Sequence, residues 1–181
     1  MPFYIGISIL IMGSMHEIIQ INKTNKKKWL SYTLIIYVII SYLILLDMKN
    51  SEQGKILLLI LISNVWASDS GGYVVGSFGK YKFCKMSPKK TIEGLVGSFM
   101  FCLIINFFMR NLIYDYTNFH FLIISAIICT SSIIGDLIIS KFKRVHGKKD
   151  SGRFLPEHGG FLDRLDSLFL ATPIYYLLIC I

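Results

Sequence analysis

Long apolar runs alternate with short polar stretches along this chain. Six runs stand out, roughly at 3–21, 30–47, 55–76, 92–109, 120–140 and 165–181. Most approach the ~20 residues that carry a helix across a bilayer. A segment in lipid must satisfy its own backbone hydrogen bonds, so runs of this length predict helices. The expected fold is all-α: one polytopic integral membrane domain over 1–181, with about six transmembrane helices. The first run is the weakest, because Met15–His16–Glu17 interrupts its apolar character. It has no basic start and no small-residue cleavage site, so a helix is expected there and not a cleaved leader. No internal repeat or low-complexity segment breaks the pattern.

Composition fits a membrane protein. Of the 181 residues, 54% are hydrophobic, more than a single soluble core of this size needs. Cys84, Cys102, Cys129 and Cys180 form no CxxC and no zinc-ligand spacing, so they read as small hydrophobes. The formal net charge is +8. On a soluble chain that balance would suggest nucleic acid; in a membrane chain the question is where the charge sits, and no nucleic-acid partner is expected. Sixteen of the 19 basic residues fall in three stretches: 22–28, 77–90 and 141–164. The alternate loops, near 48–55 and 110–119, hold only Lys49, Lys55 and Arg110. Cytoplasmic loops carry the excess of Lys and Arg, which places the three basic loops inside the cell and both termini outside.

Several polar groups lie where a bilayer tolerates them only for a reason. Asp136, in "SSIIGDLIISKFKR", sits near the end of an apolar run. Such a carboxylate calls for a cavity, a partner or a metal. Ser140, Lys143 and Arg144 follow it at i+4, i+7 and i+8, giving a polar stripe on one helix face; a structural salt bridge with snorkelling cations would give the same stripe. Asp69, in "NVWASDSGGYVVGSFGK", shares a face with Gly72 and Gly76, small residues that admit a second helix or a ligand. "GSFGK" lacks the glycine spacing and the hydroxyl of a phosphate-binding loop. In "KMSPKKTIEGL", Thr91 suits a helix N-cap and Glu93 its first turn. Lys89 and Lys90 then stand just outside that helix, suited equally to a phosphate or to ordinary headgroup anchoring.

The most polar stretch is "GKKDSGRFLPEHGGFLDRLD", Gly147 to Asp166. It supplies Lys149, Asp150, His158, Asp163, Arg164 and Asp166. Gly159 and Gly160 permit tight turns and close backbone approach. Carboxylates suit Mg²⁺, which favours phosphate oxygens as further ligands. Basic groups beside such a metal indicate a phosphate-rich substrate. The residues by themselves reach a cytoplasm-facing polar site, walled by helices and suited to metal plus polyphosphate.

The stretch Ser140 to Asp166 resembles the signature of phosphatidate cytidylyltransferases, the CDP-diacylglycerol synthases. Ser140, Lys143–Arg144, Lys149–Asp150, Gly152, Pro156, His158–Gly159–Gly160, Asp163–Arg164 and Asp166 all match. "SDSGGYVVGSFGK", "SPKKTIEG" and "GDL" resemble upstream motifs of the same family. The resemblance runs from Asp69 to the C-terminus, and residues 1–60 carry little of it. It implies transfer of CMP from CTP to phosphatidate, giving CDP-diacylglycerol and pyrophosphate. It implies Asp136 and Asp163 as holders of Mg²⁺, with a monovalent cation such as K⁺ sharing the centre. Lys143, Arg144 and Lys149 would neutralise phosphates. Asp150 and Asp166 would support metal, ribose or neighbouring cations, and Asp69 and Lys90 would complete the cavity. Ser140, Lys89, His158, Gly159, Gly160 and Arg164 are further expected substrate contacts. The location implied is a bacterial-type cytoplasmic (inner) membrane with the active site facing the cytoplasm, in contact with membrane lipid; a homodimer is an expected assembly. Two other classes fit parts of the pattern. A polyprenol or dolichol kinase would also use CTP at a membrane but has no need of the full signature. A transporter lined by Asp69 and Asp136 explains the buried acids but not the phosphate-ready loop.

Overall fold

The computed structural model describes residues 2–22, 28–84, 87, 90–109, 118–148, 150–152 and 159–180. Among the described residues six helices follow one another: α1 (Pro2–Asn22), α2 (Lys28–Asn50), α3 (Gly54–Gly76), α4 (Ile92–Met109), α5 (Asn118–Val145) and α6 (Leu162–Cys180). An isolated antiparallel bridge pairs Lys82 with Thr91. The first five helices are long and apolar enough to cross a membrane. In α6 the charged residues Asp163, Arg164 and Asp166 crowd the first turns and the apolar remainder is short. The chain is an all-helical integral membrane protein, with large apolar side chains such as Trp66 and Phe108 exposed on its outer faces.

The helices match the apolar runs, with one informative difference. The fifth was expected to stop at residue 140, and it continues to Val145. Lys141, Lys143 and Arg144 are therefore helical and not loop residues. Lys and Arg are good helix formers, and neither Gly nor Pro occurs between residues 141 and 146. There the backbone turns left-handed (φ 67°), and Lys148 N donates back to Lys143 O at 2.9 Å, a glycine-based helix stop.

Two large cores hold the bundle, beside a small one of Ala67, Cys102 and Cys129 between α3, α4 and α5. One joins α2, α3, α5 and α6 through Leu45, Leu61, Ile128 and Tyr175. The other joins α1, α2, α5 and α6 through Ile18, Val38, Ile139 and Phe169. Pro173 lies inside α6 and has no N–H to give Phe169 O, four residues back. Ser41 Oγ of α2 donates to that carbonyl at 2.6 Å and fills the gap. Helices α3 and α4 meet backbone to backbone. A Cβ on Gly94 would stand 2.9 Å from Gly72 O and 3.2 Å from Gly76 Cα. The small face after Asp69 thus receives a helix. Deeper in the bundle Asn64 and Asn106 exchange amide hydrogen bonds of 2.9 and 2.8 Å, and Asn106 also donates to Ser125.

The described parts of the three basic stretches lie at one end of the bundle. There Glu17 of α1 meets Phe161 N just before α6, Lys90 just before α4 meets Asp136 of α5, and Lys143 in the last turn of α5 meets Asp163 in the first turn of α6. At the other end Tyr4 of α1 bonds Asn50, and Tyr176 near the end of α6 bonds Asp47.

Candidate active site

A cavity of about 1430 Å³ opens at the basic end, between α3, α4, α5 and α6. Ser68, Asp69 and Gly72 face it from α3, and Lys90, Thr91 and Gly94 from the start of α4. Asp136 and Lys143 line it from α5. The loop and α6 contribute Asp150, Ser151, Gly159, Asp163, Arg164 and Asp166.

Local sequence explains how each wall is held. Thr91 caps α4 as expected, its Oγ1 accepting from Gly94 N at 3.1 Å. Glu93, in the first turn, reaches out of the helix and accepts from Lys80 N at 2.8 Å, tying the 77–84 segment to α4. Lys90 beside this cap places Nζ 2.6 Å from Asp136 Oδ2. Ser140, one turn beyond, donates to Asp136 Oδ1 at 3.1 Å. Seven residues after Asp136, Lys143 places Nζ 2.6 Å from Asp163 Oδ1. The other oxygen of Asp163 accepts from Ser151 N at 3.0 Å and Gly160 N at 3.3 Å. Ser167 donates to Asp69 Oδ1 at 3.1 Å. Asp166 is buried, and its Oδ1 accepts from Ser167 N at 2.8 Å.

Most of the expected site residues meet here. Asp69, Lys90, Asp136, Lys143, Asp150, Gly159, Asp163, Arg164 and Asp166 share the cavity wall. Gly159 has φ 80°, a conformation that favours glycine, and lets the loop turn beside Asp163. Ser140 and Gly160 stand behind the wall, each bonded to one of its carboxylates. Arg144 departs from the stripe drawn for it. Lys143 falls about 20° from Asp136 around an ideal helix, while Arg144 falls about 80° away. Its Nη1 donates to Lys148 O at 3.1 Å on the exposed side. Lys89, Lys149 and His158 lie outside the described residues.

One residue was missed. Glu17 of α1 is 3% exposed, and its carboxylate accepts from Ser151 Oγ at 2.8 Å, Phe161 N at 3.0 Å and Leu162 N at 3.0 Å. The signal was visible: Glu17 is a lone acid in an apolar helix, the kind of residue a bilayer keeps only where it is bonded. In the sequence it reads only as an interruption of the first apolar run.

A family model described as "Cytidylyltransferase family" matches residues 2–181. The chain belongs to the cytidylyltransferase family. It is 43% identical over 130 residues to a phosphatidate cytidylyltransferase of Haemophilus influenzae, covering 68% of this chain and 45% of that protein. It is 38% identical over 148 residues to one from Staphylococcus saprophyticus, covering 80% and 56%. It is 39% identical over 134 residues to one from Aquifex aeolicus, covering 73% and 50%. The chain spans about half the length of the curated relatives it matches. The match over residues 2–181 includes α1 and α2, where little of the signature had been seen.

Proposed function

We propose that this cavity transfers CMP from CTP to phosphatidate, giving CDP-diacylglycerol and pyrophosphate. One observation carries the reading. Two aspartate–lysine pairs, Asp136 with Lys90 and Asp163 with Lys143, line a single cavity at the end of a membrane bundle. Each ammonium is held ready by a carboxylate and can turn to a phosphate. A phosphatidate oxygen attacks the α-phosphorus of CTP, and the bond from that phosphorus to the bridging β-phosphate oxygen breaks. Such transfer needs positioning and charge stabilisation more than covalent help. Lys90 approaches from the α4 cap and Lys143 from α5, so triphosphate and lipid phosphate can be gripped from two walls. The acyl chains stay in lipid while the phosphate reaches the cavity at the bundle's end.

The donor set suits Mg²⁺. Asp136 and Asp163 offer hard oxygens, and each is now balanced by a lysine whose place a cation can take. These two carboxylates would hold the ion, with K⁺ as an added monovalent partner. When bound, Mg²⁺ supplies positive charge that offsets the phosphates. Asp69 and Asp166 offer further carboxyl oxygens on the same wall. The cavity is proposed to face the cytoplasm of a bacterial-type inner membrane, as the basic stretches around it favour. Lys148→Cys should then label only from the inside.

The test is direct. Purified protein with labelled CTP, phosphatidate and Mg²⁺ should yield CDP-diacylglycerol and release pyrophosphate, and chelation should stop it. No product from a folded preparation refutes the reading.

A further inference from the structure

We propose that Glu17 of α1 is a positioning residue for this cavity. It clamps the signature loop to the start of α6 and, through Asp163, fixes the Lys143 ammonium. The proposal deepens the transfer reading, and its first test does not depend on activity.

The contacts form a continuous line. Glu17 Oε1 accepts from Phe161 N at 3.0 Å. Oε2 accepts from Ser151 Oγ at 2.8 Å and Leu162 N at 3.0 Å. Ser151 and the neighbour of Phe161, Gly160, in turn give their amides to Asp163 Oδ2 at 3.0 and 3.3 Å. Asp163 Oδ1 receives Lys143 Nζ at 2.6 Å. One buried carboxylate therefore sets the two backbone donors that orient Asp163, and Asp163 sets the lysine.

The chemistry gives each step a reason. The first amides of a helix lack partners within it, and a carboxylate there satisfies them and complements the dipole. Gly152, Gly159 and Gly160 bring little stiffness of their own to the backbone beside Asp163, and Glu17 anchors it from outside. Gly152 fits the clamp closely: an added Cβ would stand 2.5 Å from Glu17 Oε1. Gly160 packs on Glu17 and Ser151 in the same way. Glu17 itself is absent from the cavity wall, so it acts through the loop and not on substrate.

The experiment reads the reactivity of Lys143. The full chain in detergent is treated with an amine-acylating reagent, and modification of Lys143 and Lys90 is followed by mass spectrometry. Lys90, paired to Asp136 on α5 and not to the clamped loop, is the internal reference. In Glu17→Ala the Lys143 rate should rise about tenfold while Lys90 changes little, because losing bonds to a buried carboxylate frees the loop locally. Glu17→Gln, which keeps one acceptor oxygen, should give a smaller rise. If Glu17→Ala fails to fold, Ser151→Ala removes one clamp bond and should still raise the Lys143 rate about threefold. An unchanged Lys143 rate, or equal rises at both lysines, overturns the proposal. In the activity arm, Glu17→Gln should lower kcat/KM for CTP about tenfold; undiminished turnover there, with an active wild type, also overturns it. A wild-type protein that makes no CDP-diacylglycerol refutes the transfer reading instead, and the labelling still decides the clamp.

Discussion

Lys143 Nζ lies 2.6 Å from Asp163 Oδ1, joining the last turn of α5 to the first turn of α6 across the signature loop. Both groups are largely shielded, with side-chain exposures of 11% and 15%. Shielding strengthens the attraction and makes loss of either partner costly, since the survivor stays charged in poor solvent. Both residues line the cavity.

Lys143→Met should cut CDP-diacylglycerol formation by about 10²–10³, the scale of removing one charge-stabilising group from such a site. The helices should persist by circular dichroism. Turnover within a few-fold of wild type would remove Lys143 from the phosphate grip.

Asp136→Asn keeps the shape but removes the charge facing Lys90 and accepting from Ser140. Near-complete loss of transfer is expected, with rising Mg²⁺ failing to restore it. Recovery at high Mg²⁺ would mean that Asp136 tunes metal affinity only.

The α3–α4 seam should reject side chains. A Cβ on Gly97 would stand 2.5 Å from Val75 Cβ and 2.6 Å from Gly71 O. Gly97→Val should destabilise the protein by about 1–3 kcal/mol, the cost of overpacking a close contact, read as a lower melting temperature in detergent. An unchanged melting temperature would mean that the seam can open.

Ser41→Ala should cost about 1–2 kcal/mol by orphaning the buried Phe169 carbonyl. Adding Pro173→Ala restores an N–H that can reach that carbonyl within α6, so the double variant should regain most of the loss. If Pro173→Ala brings no rescue in the Ser41→Ala background, the serine is not compensating for the proline.

The sequence by itself determined the helices, because lipid leaves a spanning segment few alternatives to a helix and the apolar runs mark its length. It also marked the signature as a polar site out of place in lipid, and Asp69, Asp136 and Asp163 do share one cavity. The end of α5 was less legible: lysines in 141–145 looked like loop, yet they are good helix formers and only Gly147 stops them. Tertiary structure decided which charges pair. Helix periodicity relates Asp136 to Lys143, but nothing local relates Asp136 to Lys90 or Lys143 to Asp163. Those contacts depend on how α4, α5 and α6 pack. It also decided the meaning of Glu17, which reads as a flaw in an apolar run until α1 is laid against the start of α6. Local rules operate within a few turns of helix, whereas 134 residues separate Glu17 from its partner Ser151, and only the assembled bundle brings the carboxylate to the loop.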